Sequence, residues 1–342
     1  MQEVVTDMKI AYIKVSPTIM ATDGIKIQAQ TWGNELMKRG HTVDFINMWD
    51  NVDWKSYDII HLFDYSEWME DFIFWMKDVN TNIVISPIID SMYNKTLFRL
   101  VGMWGSRKLR LRSRYYSLRQ CRNYIKMFFV RSEYERAFIT QSYGVEEQRT
   151  QIVPLSYRMG SDVAGLEKEL FCLHVSLLAD KRKNVERLVA ASKKYGFNLK
   201  LAGKLRNEQE QIWLNLLIAD APQIEYLGFV SDEELKNLYR RAKVFALPSI
   251  YEGVGMVALE AAVMGDDIVI TSQGGPKEYY ADLAEIVNPI SVDEIGKAIT
   301  TLLNGKTHQP ALKEHIIRRY SLETTCDLLE STYVKISKHK TI

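Results

Sequence analysis

Three cysteines in 342 residues (Cys121, Cys172 and Cys326), none in a CxxC pair, leave no disulfide framework and no thiolate metal site. Six histidines lie scattered without HExxH-type spacing, so imidazole coordination has no frame either. Only eight prolines and no low-complexity tract exclude a fibrous or linker-dominated chain. No run approaches the roughly 20 apolar residues that a membrane-spanning helix needs. No secretory leader is legible ahead of "MKIAYIKV" at 8–15; residues 1–7 read as a frayed polar extension and the chain as cytoplasmic. A net charge of +1 lacks the overall basic footprint of a nucleic-acid binder.

What is present is the composition of a soluble globular protein, 46% hydrophobic and 25% charged, in a length that suggests two domains. Strand patterns at 8–15, 42–48, 58–63, 82–89 and 127–130 alternate with helical ones at about 66–79, 96–120 and 132–142. A second series of strands at 170–178, 198–203, 223–230, 243–249 and 266–272 alternates with helices near 183–195, 207–219, 231–241, 256–264 and 292–303, and one or two helices follow Pro310. Strands alternating with helices imply parallel sheets covered on both faces. The expected organisation is two doubly wound α/β domains, 1–158 and 159–320, and a C-terminal helix over 321–342 packing back toward the first. A ligand belongs at the C-terminal ends of such strands.

One stretch, "SIYEGVGMVALEAAVMGDDIVI" (249–270), concentrates the chemistry. From Met256 to Met264 every residue but Glu260 is Met, Val, Ala or Leu, so this carboxylate is expected inside, where it needs partners. A strand, a tight glycine loop and a helix start put unpaired N–H groups at the place where anions bind. Glu252 stands before that helix and Glu260 two turns into it. A ribose diol would give Glu260 two hydroxyl donors; a neighbouring helix cap or an arginine would satisfy it without any ligand.

The stretch 251–280, with its E-x7-E spacing and Gly-Gly-x-x-E loop, resembles the signature of retaining GT-B glycosyltransferases, especially family 4. "ADKRKNVERLVAA" (179–191), "LKLAGK" (199–204), "IEYLGFVSDEELKNLYRRAKVFALPS" (224–249), "ELMKRGHTV" (35–43) and "FVRSEYERAFITQSYGVEEQRTQIVPLS" (129–156) match as well. The resemblance covers essentially the whole chain and is weakest over 50–125. It implies the GT-B fold and a nucleotide-sugar donor with no metal and no further cofactor. Glu252 would hold hydroxyls of the transferred sugar, helped by the backbone of Gly253, Val254, Gly255 and Met256. Glu260 would bind the ribose, Lys183 the diphosphate, and the backbone of Phe229 and Val230 the base. Gly24 would approach the diphosphate from the first domain.

The sequence departs from that family in two places. The usual arginine six positions before the lysine is Leu177 here, with Lys181 and Arg182 as nearby substitutes for a diphosphate clamp. The frequent histidine after the fourth strand is replaced in "SPIIDSMYN" by Asp90 and Tyr93; Asp90 either contacts the sugar or acceptor or caps the next segment. His41, His61 and His174 read as structural, Asp23 as a turn residue or acceptor contact, Gly274 and Gly275 as loop-shaping, and Glu278 as a cap.

Acid is missing altogether from 91–132, which holds 11 basic residues interleaved with Phe98, Met103, Trp104, Leu109, Leu111, Tyr115 and Tyr116. The remaining chain has 33 basic and 43 acidic residues, a balance of −10. Such a stretch suits an anionic membrane surface or a lipid-diphosphate acceptor, and otherwise a helix packing its arginine stems on the domain. The expected partners are therefore a nucleotide sugar, a glycan or lipid-linked acceptor and an anionic membrane surface, not nucleic acid. The expected activity is retaining sugar transfer in cell-surface polysaccharide or glycoconjugate synthesis. Alternatives are a catalytically weak or inactive GT-B protein that binds nucleotide or glycan or supports a partner enzyme, and a nucleotide-sugar epimerase.

Overall fold

A computed structural model describes residues 7–15, 24–47, 49–102, 104–106, 108–160 and 167–338. Asp23 and Met103, named above, and Arg107 of the basic stretch lie outside them. The chain divides into two compact units, Met1–Leu155 with Leu322–Ile342, and Ser156–Ser321.

In the first unit the strands β1 (Lys9–Lys14), β2 (Thr42–Phe45), β3 (Ile59–Phe63), β4 (Ile83–Ser86), β5 (Met127–Val130) and β6 (Thr150–Ile152) form one parallel sheet in the order β2-β1-β3-β4-β5-β6. β3 and β4 are buried at every position, because helices cover both faces of the sheet. Those helices are α1 (Gly24–Lys38), α2 (Met69–Met76), α3 (Lys95–Leu97), α4 (Arg114–Cys121) and α5 (Glu133–Tyr143). The expected helix over 96–120 is not continuous among the described residues: α3 lies at its start and α4 at its end. Beyond α3 the chain makes one π-helical turn at Phe98–Gly102 and then an irregular excursion to α4. Gly102 and Gly105 lower helix propensity there, and a run of like charges repels itself at helical spacing.

The second unit holds β7 (Glu169–Val175), β8 (Leu199–Ala202), β9 (Ile224–Gly228), β10 (Ala242–Leu247), β11 (Asp267–Thr271) and β12 (Glu285–Val287), parallel in the order β12-β11-β10-β7-β8-β9. Its helices are α6 (Val185–Tyr195), α7 (Glu208–Ile218), α8 (Asp232–Arg241), α9 (Met256–Val263), α10 (Lys277–Tyr280), α11 (Val292–Leu303) and α12 (Ala311–Tyr320). A capping box between Ser231 and Glu234 starts α8. Strand order reverses between β7 and β10, so the loops after these two strands flank the switch point where doubly wound sheets take ligands.

The last helix, α13 (Leu322–Lys338), belongs to the first unit. Its Tyr333 is fully buried, with its hydroxyl 2.5 Å from His61 Nδ1 and 3.2 Å from the Tyr12 hydroxyl. His61 Nε2 meets Ser86 Oγ at 2.9 Å, and burial pushes the His61 pKa down, which keeps the ring neutral. His41 accepts from Met8 N–H and faces Glu330, which also pairs with Arg39 at 2.8 Å. Both histidines are structural, as the sequence suggests.

Candidate active site

In the second unit, β10 ends at Leu247 and the chain turns through "PSIYEGVG" into α9. The turn is clamped by backbone: Glu252 N–H donates to Gln273 carbonyl and Gly275 N–H to Glu252 carbonyl, both at 3.3 Å. Gly274 has φ +97°, and a Cβ there would lie 2.0 Å from the Glu252 carbonyl oxygen, so only glycine lets the two loops meet. Gly255 has φ +80° and precedes α9, whose N-terminus no side chain caps. Its first N–H groups therefore face the loop without a local acceptor side chain, and the helix dipole is positive there.

The loop after β7 brings the opposing charge. Lys183 Nζ lies 2.6 Å from Glu252 Oε2, and Ser249 Oγ donates to the same oxygen at 3.3 Å. The geometry rests on Asn184, which adopts a left-handed conformation at φ +61° and donates through Nδ2 to the Pro248 and Pro289 carbonyls at 2.8 and 2.7 Å. Ile250 N–H donates to the Arg182 carbonyl at 2.8 Å, which stitches the two loops together. Arg182 itself lies 3.6 Å from Asp180 and over the Tyr251 ring. Leu177, half-buried, contributes no charge where the family resemblance led us to look for an arginine. His174 is buried beneath this loop, with Nδ1 2.8 Å from the Ala246 carbonyl; burial lowers its pKa to about 4, so it is neutral.

Glu260 is fully buried in α9, and the partner it has is the arginine alternative: Arg158 Nε donates to Oε1 at 2.6 Å. Oε2 and the nearby Tyr239 hydroxyl are both buried without a close hydrogen bond, although the hydroxyl is near enough to help hold the Glu260 pKa down. Burial raises the Glu260 pKa, and Arg158 pulls it back down. Arg158 and Asn184 are the two residues that sequence reasoning missed. The first hides in the interdomain stretch "SYRMG", and the second reads as an ordinary helix-start asparagine.

The structure thus gathers Glu252, Lys183, Arg182, Gly253, Val254, Gly255, Met256 and Glu260 around the switch point of one unit. Phe229 and Val230 follow β9, and the Phe229 side chain is 78% exposed. Gly24 and Asp90 belong to the first unit. Gly24 opens α1. Asp90 Oδ1 accepts from Arg131 Nη2 at 2.7 Å, and buried Arg131 also pairs with Glu135 at 2.9 Å. Glu135 in turn accepts from Ile89 N–H at 2.6 Å. Asp90 is therefore part of a charge network that shapes the loop after β4, a role that neither of the readings above contained. Among the described residues no cluster of three or more His, Cys, Asp or Glu could hold a metal ion, and no helix is long and apolar enough to cross a membrane.

Residues 162–319 match the family described as glycosyl transferases group 1. The O-antigen chain mannosyltransferase B of Escherichia coli is 31% identical over 137 residues, 38% of this chain and 35% of that one. The chain spans about a quarter to a third of the length of the curated relatives it matches first. A glycosyltransferase from Rickettsia africae superposes with a TM-score of 0.75 over 98% of this chain and 100% of its own, at 14% identity. HepE from Anabaena, in complex with UDP, superposes with a TM-score of 0.70 over 96% and 100%, at 15% identity. Residues 162–319 of the second unit accordingly resemble the group 1 glycosyltransferases, and the chain as a whole has the two-domain α/β fold, GT-B, of those solved glycosyltransferases.

Proposed function

We propose that the protein is a retaining glycosyltransferase that moves a sugar from a nucleoside-diphosphate donor to a glycan or lipid-linked acceptor in polysaccharide synthesis. The observation that carries this reading is the pairing of Lys183 with Glu252 at an uncapped helix start, eight positions ahead of a buried carboxylate with one unsatisfied oxygen. In the proposed reaction the donor diphosphate sits against Lys183 and the first N–H groups of α9. Negative charge that builds on the leaving phosphate is met by a cation already in position, so no metal is required. Glu252, released from Lys183, accepts from hydroxyls of the transferred sugar. Glu260 Oε2 accepts from the ribose while Oε1 stays with Arg158. The mannosyltransferase relatives make a mannosyl donor the first to try, and the UDP-bound neighbour a uridine one the second.

The test is nucleoside-diphosphate release from a panel of nucleotide sugars, with a thermal-shift panel of the diphosphates alongside. Diphosphate release that requires Lys183 supports the transferase. Leu177 supports a second reading, a binding-only protein with a depleted phosphate clamp. That reading predicts thermal shifts with diphosphates and no release from any donor.

A further inference from the structure

The excursion between α3 and α4 is fixed at its base and open at its outer side. Phe98 is buried and packs edge-on against Tyr115 with ring centroids 5.0 Å apart. Gly105 lies so close to Tyr116 that a Cβ there would be 2.6 Å from its ring. Ser106 and Leu111 exchange backbone hydrogen bonds of 2.8 and 3.0 Å, which closes a hairpin whose tip carries Lys108, Leu109 and Arg110. Arg112 is held by Asp71 at 2.6 Å, and Arg114 lies over the Tyr65 ring at 5.0 Å. These anchors leave Trp104 77%, Leu109 70% and Leu100 68% exposed, with Leu97 and Leu111 also in solvent. Arg99, Lys108 and Arg110 are exposed among them.

Five large apolar side chains exposed within 15 residues and interleaved with cations are the composition of an interaction surface rather than of an ordinary solvated loop. The charge says what covers these. Of the 11 basic residues in the acid-free stretch 91–132, Arg131 is buried against Asp90 and Glu135 and Arg112 is held by Asp71. Arg99, Lys108, Arg110 and Arg114 stand exposed on the excursion or at its end, and with the rest of the chain at −10 these cations favour an anionic surface. A nucleic acid would satisfy the charge, but aliphatic leucines have no ring to stack on bases. A bilayer satisfies both: leucine and tryptophan enter the headgroup region, and arginine and lysine meet anionic headgroups. We propose that the α3–α4 excursion docks the protein on an anionic lipid bilayer, with Leu100, Trp104 and Leu109 inserted and Arg99, Lys108 and Arg110 on the headgroups. This does not depend on which sugar, or whether any, the second unit transfers.

The experiment is co-sedimentation of the full chain with vesicles of phosphatidylcholine alone or mixed with phosphatidylglycerol, over a range of ionic strength. The wild type is expected on the mixed vesicles only, with binding that falls as salt rises. Each basic side chain near such a surface is worth about a fivefold change in partition, so Arg99→Gln/Lys108→Gln/Arg110→Gln together should weaken binding by about 100-fold. Trp104→Ser/Leu109→Ser should also release the protein, and what binding remains should keep its salt dependence. All these side chains are exposed, and an unchanged unfolding midpoint shows that the variants fold. Wild-type protein that ignores mixed vesicles at every ionic strength overturns the proposal, as does binding that both variants retain. Retention on a soluble polyanion such as heparin, without vesicle binding, overturns it in favour of an anionic polymer.

Discussion

Removing Arg158 tests the account of Glu260 most directly, because the cost can be worked from the structure. Glu260 is fully buried and Arg158 is its ion partner, whereas the Arg158 side chain itself is 29% exposed. Breaking a buried pair from one side typically costs about 3–5 kcal/mol when the remaining charge stays ionised. Glu260 has a cheaper outlet, since it can take a proton. From an ordinary value of 4.5, protonation at pH 7 spans about 2.5 pH units and costs about 3.4 kcal/mol at 1.36 per unit. Arg158→Met should therefore destabilise the second unit by no more than about 3.4 kcal/mol at pH 7, and by no more than about 1.4 kcal/mol at pH 5.5. The sign follows from linkage: a carboxyl whose folded pKa is raised contributes stability that is complete below the unfolded value and fades as pH rises through the folded one. Adding Glu260→Gln to Arg158→Met removes the charge and should restore about 2 kcal/mol relative to Arg158→Met alone at pH 7. Urea unfolding of the two single variants and the double variant between pH 5 and 8 makes the measurement. If Arg158→Met costs the same at every pH and Glu260→Gln restores nothing, the pair is not electrostatically coupled and the reasoning fails.

Lys183→Ala should lower kcat for nucleoside-diphosphate release by roughly 10²-fold, the scale for one preorganised charge stabiliser, and Leu177→Arg should raise donor affinity; a silent Lys183→Ala that still releases diphosphate moves the clamp to Lys181 or Arg182. Phe229→Ala should leave diphosphate affinity within about threefold, because the side chain is exposed and the proposed base contact is through the backbone. A tenfold loss by titration calorimetry would instead put the ring on the base. Tyr333→Phe removes the hydroxyl that His61 and Tyr12 share in the core and should cost the first unit about 1–3 kcal/mol of stability by urea unfolding; no change would mean the helix α13 is held by apolar packing alone.

The parts of this molecule that were legible in the sequence are those set by local pattern. The core strands β3, β5, β10 and β11 and the helix α11 stand where apolar periodicity puts them, within a residue or two. β6 and β12 escaped notice because three-residue edge strands leave too short a pattern to count, and "TQI" and "EIV" are half polar. The helix expected over 96–120 failed for a different reason: propensity summed over the window hid two glycines and a self-repelling charge run. Within the site, Glu252, Lys183 and Glu260 were visible through motif spacing. Arg158 and Asn184 were not, since each acts on a residue 102 and 64 positions away, respectively, and no local rule connects them. Strand order is nonlocal in the same way, so the switch point that joins the β7 and β10 loops could be placed only once the sheet was known.

Both acids of the E-x7-E pair are neutralised by cations of the chain itself, and this limits what a ligand can gain. At Glu260 a ribose finds its open acceptor at Oε2, because Oε1 already accepts from Arg158 at 2.6 Å and keeps only one further lone pair. Its contribution to affinity is then that of one charged oxygen, about 1.5–3 kcal/mol, rather than that of a bare carboxylate. At Glu252 the arithmetic is an exchange. In the proposed reaction a diphosphate would have to take Lys183 away from a carboxylate held at 2.6 Å, which it could do by bringing more than one negative charge to the same ammonium. A second arginine at position 177 would make that exchange easier by offering a cation that no acid already holds. With leucine there, Lys183 has to serve Glu252 in the resting protein and the phosphate in the proposed reaction. On the proposed reaction, Glu252 would gain its sugar hydroxyls only after the diphosphate had arrived. Diphosphate affinity in Glu252→Gln should accordingly rise, since the competitor for Lys183 is gone, while sugar transfer falls.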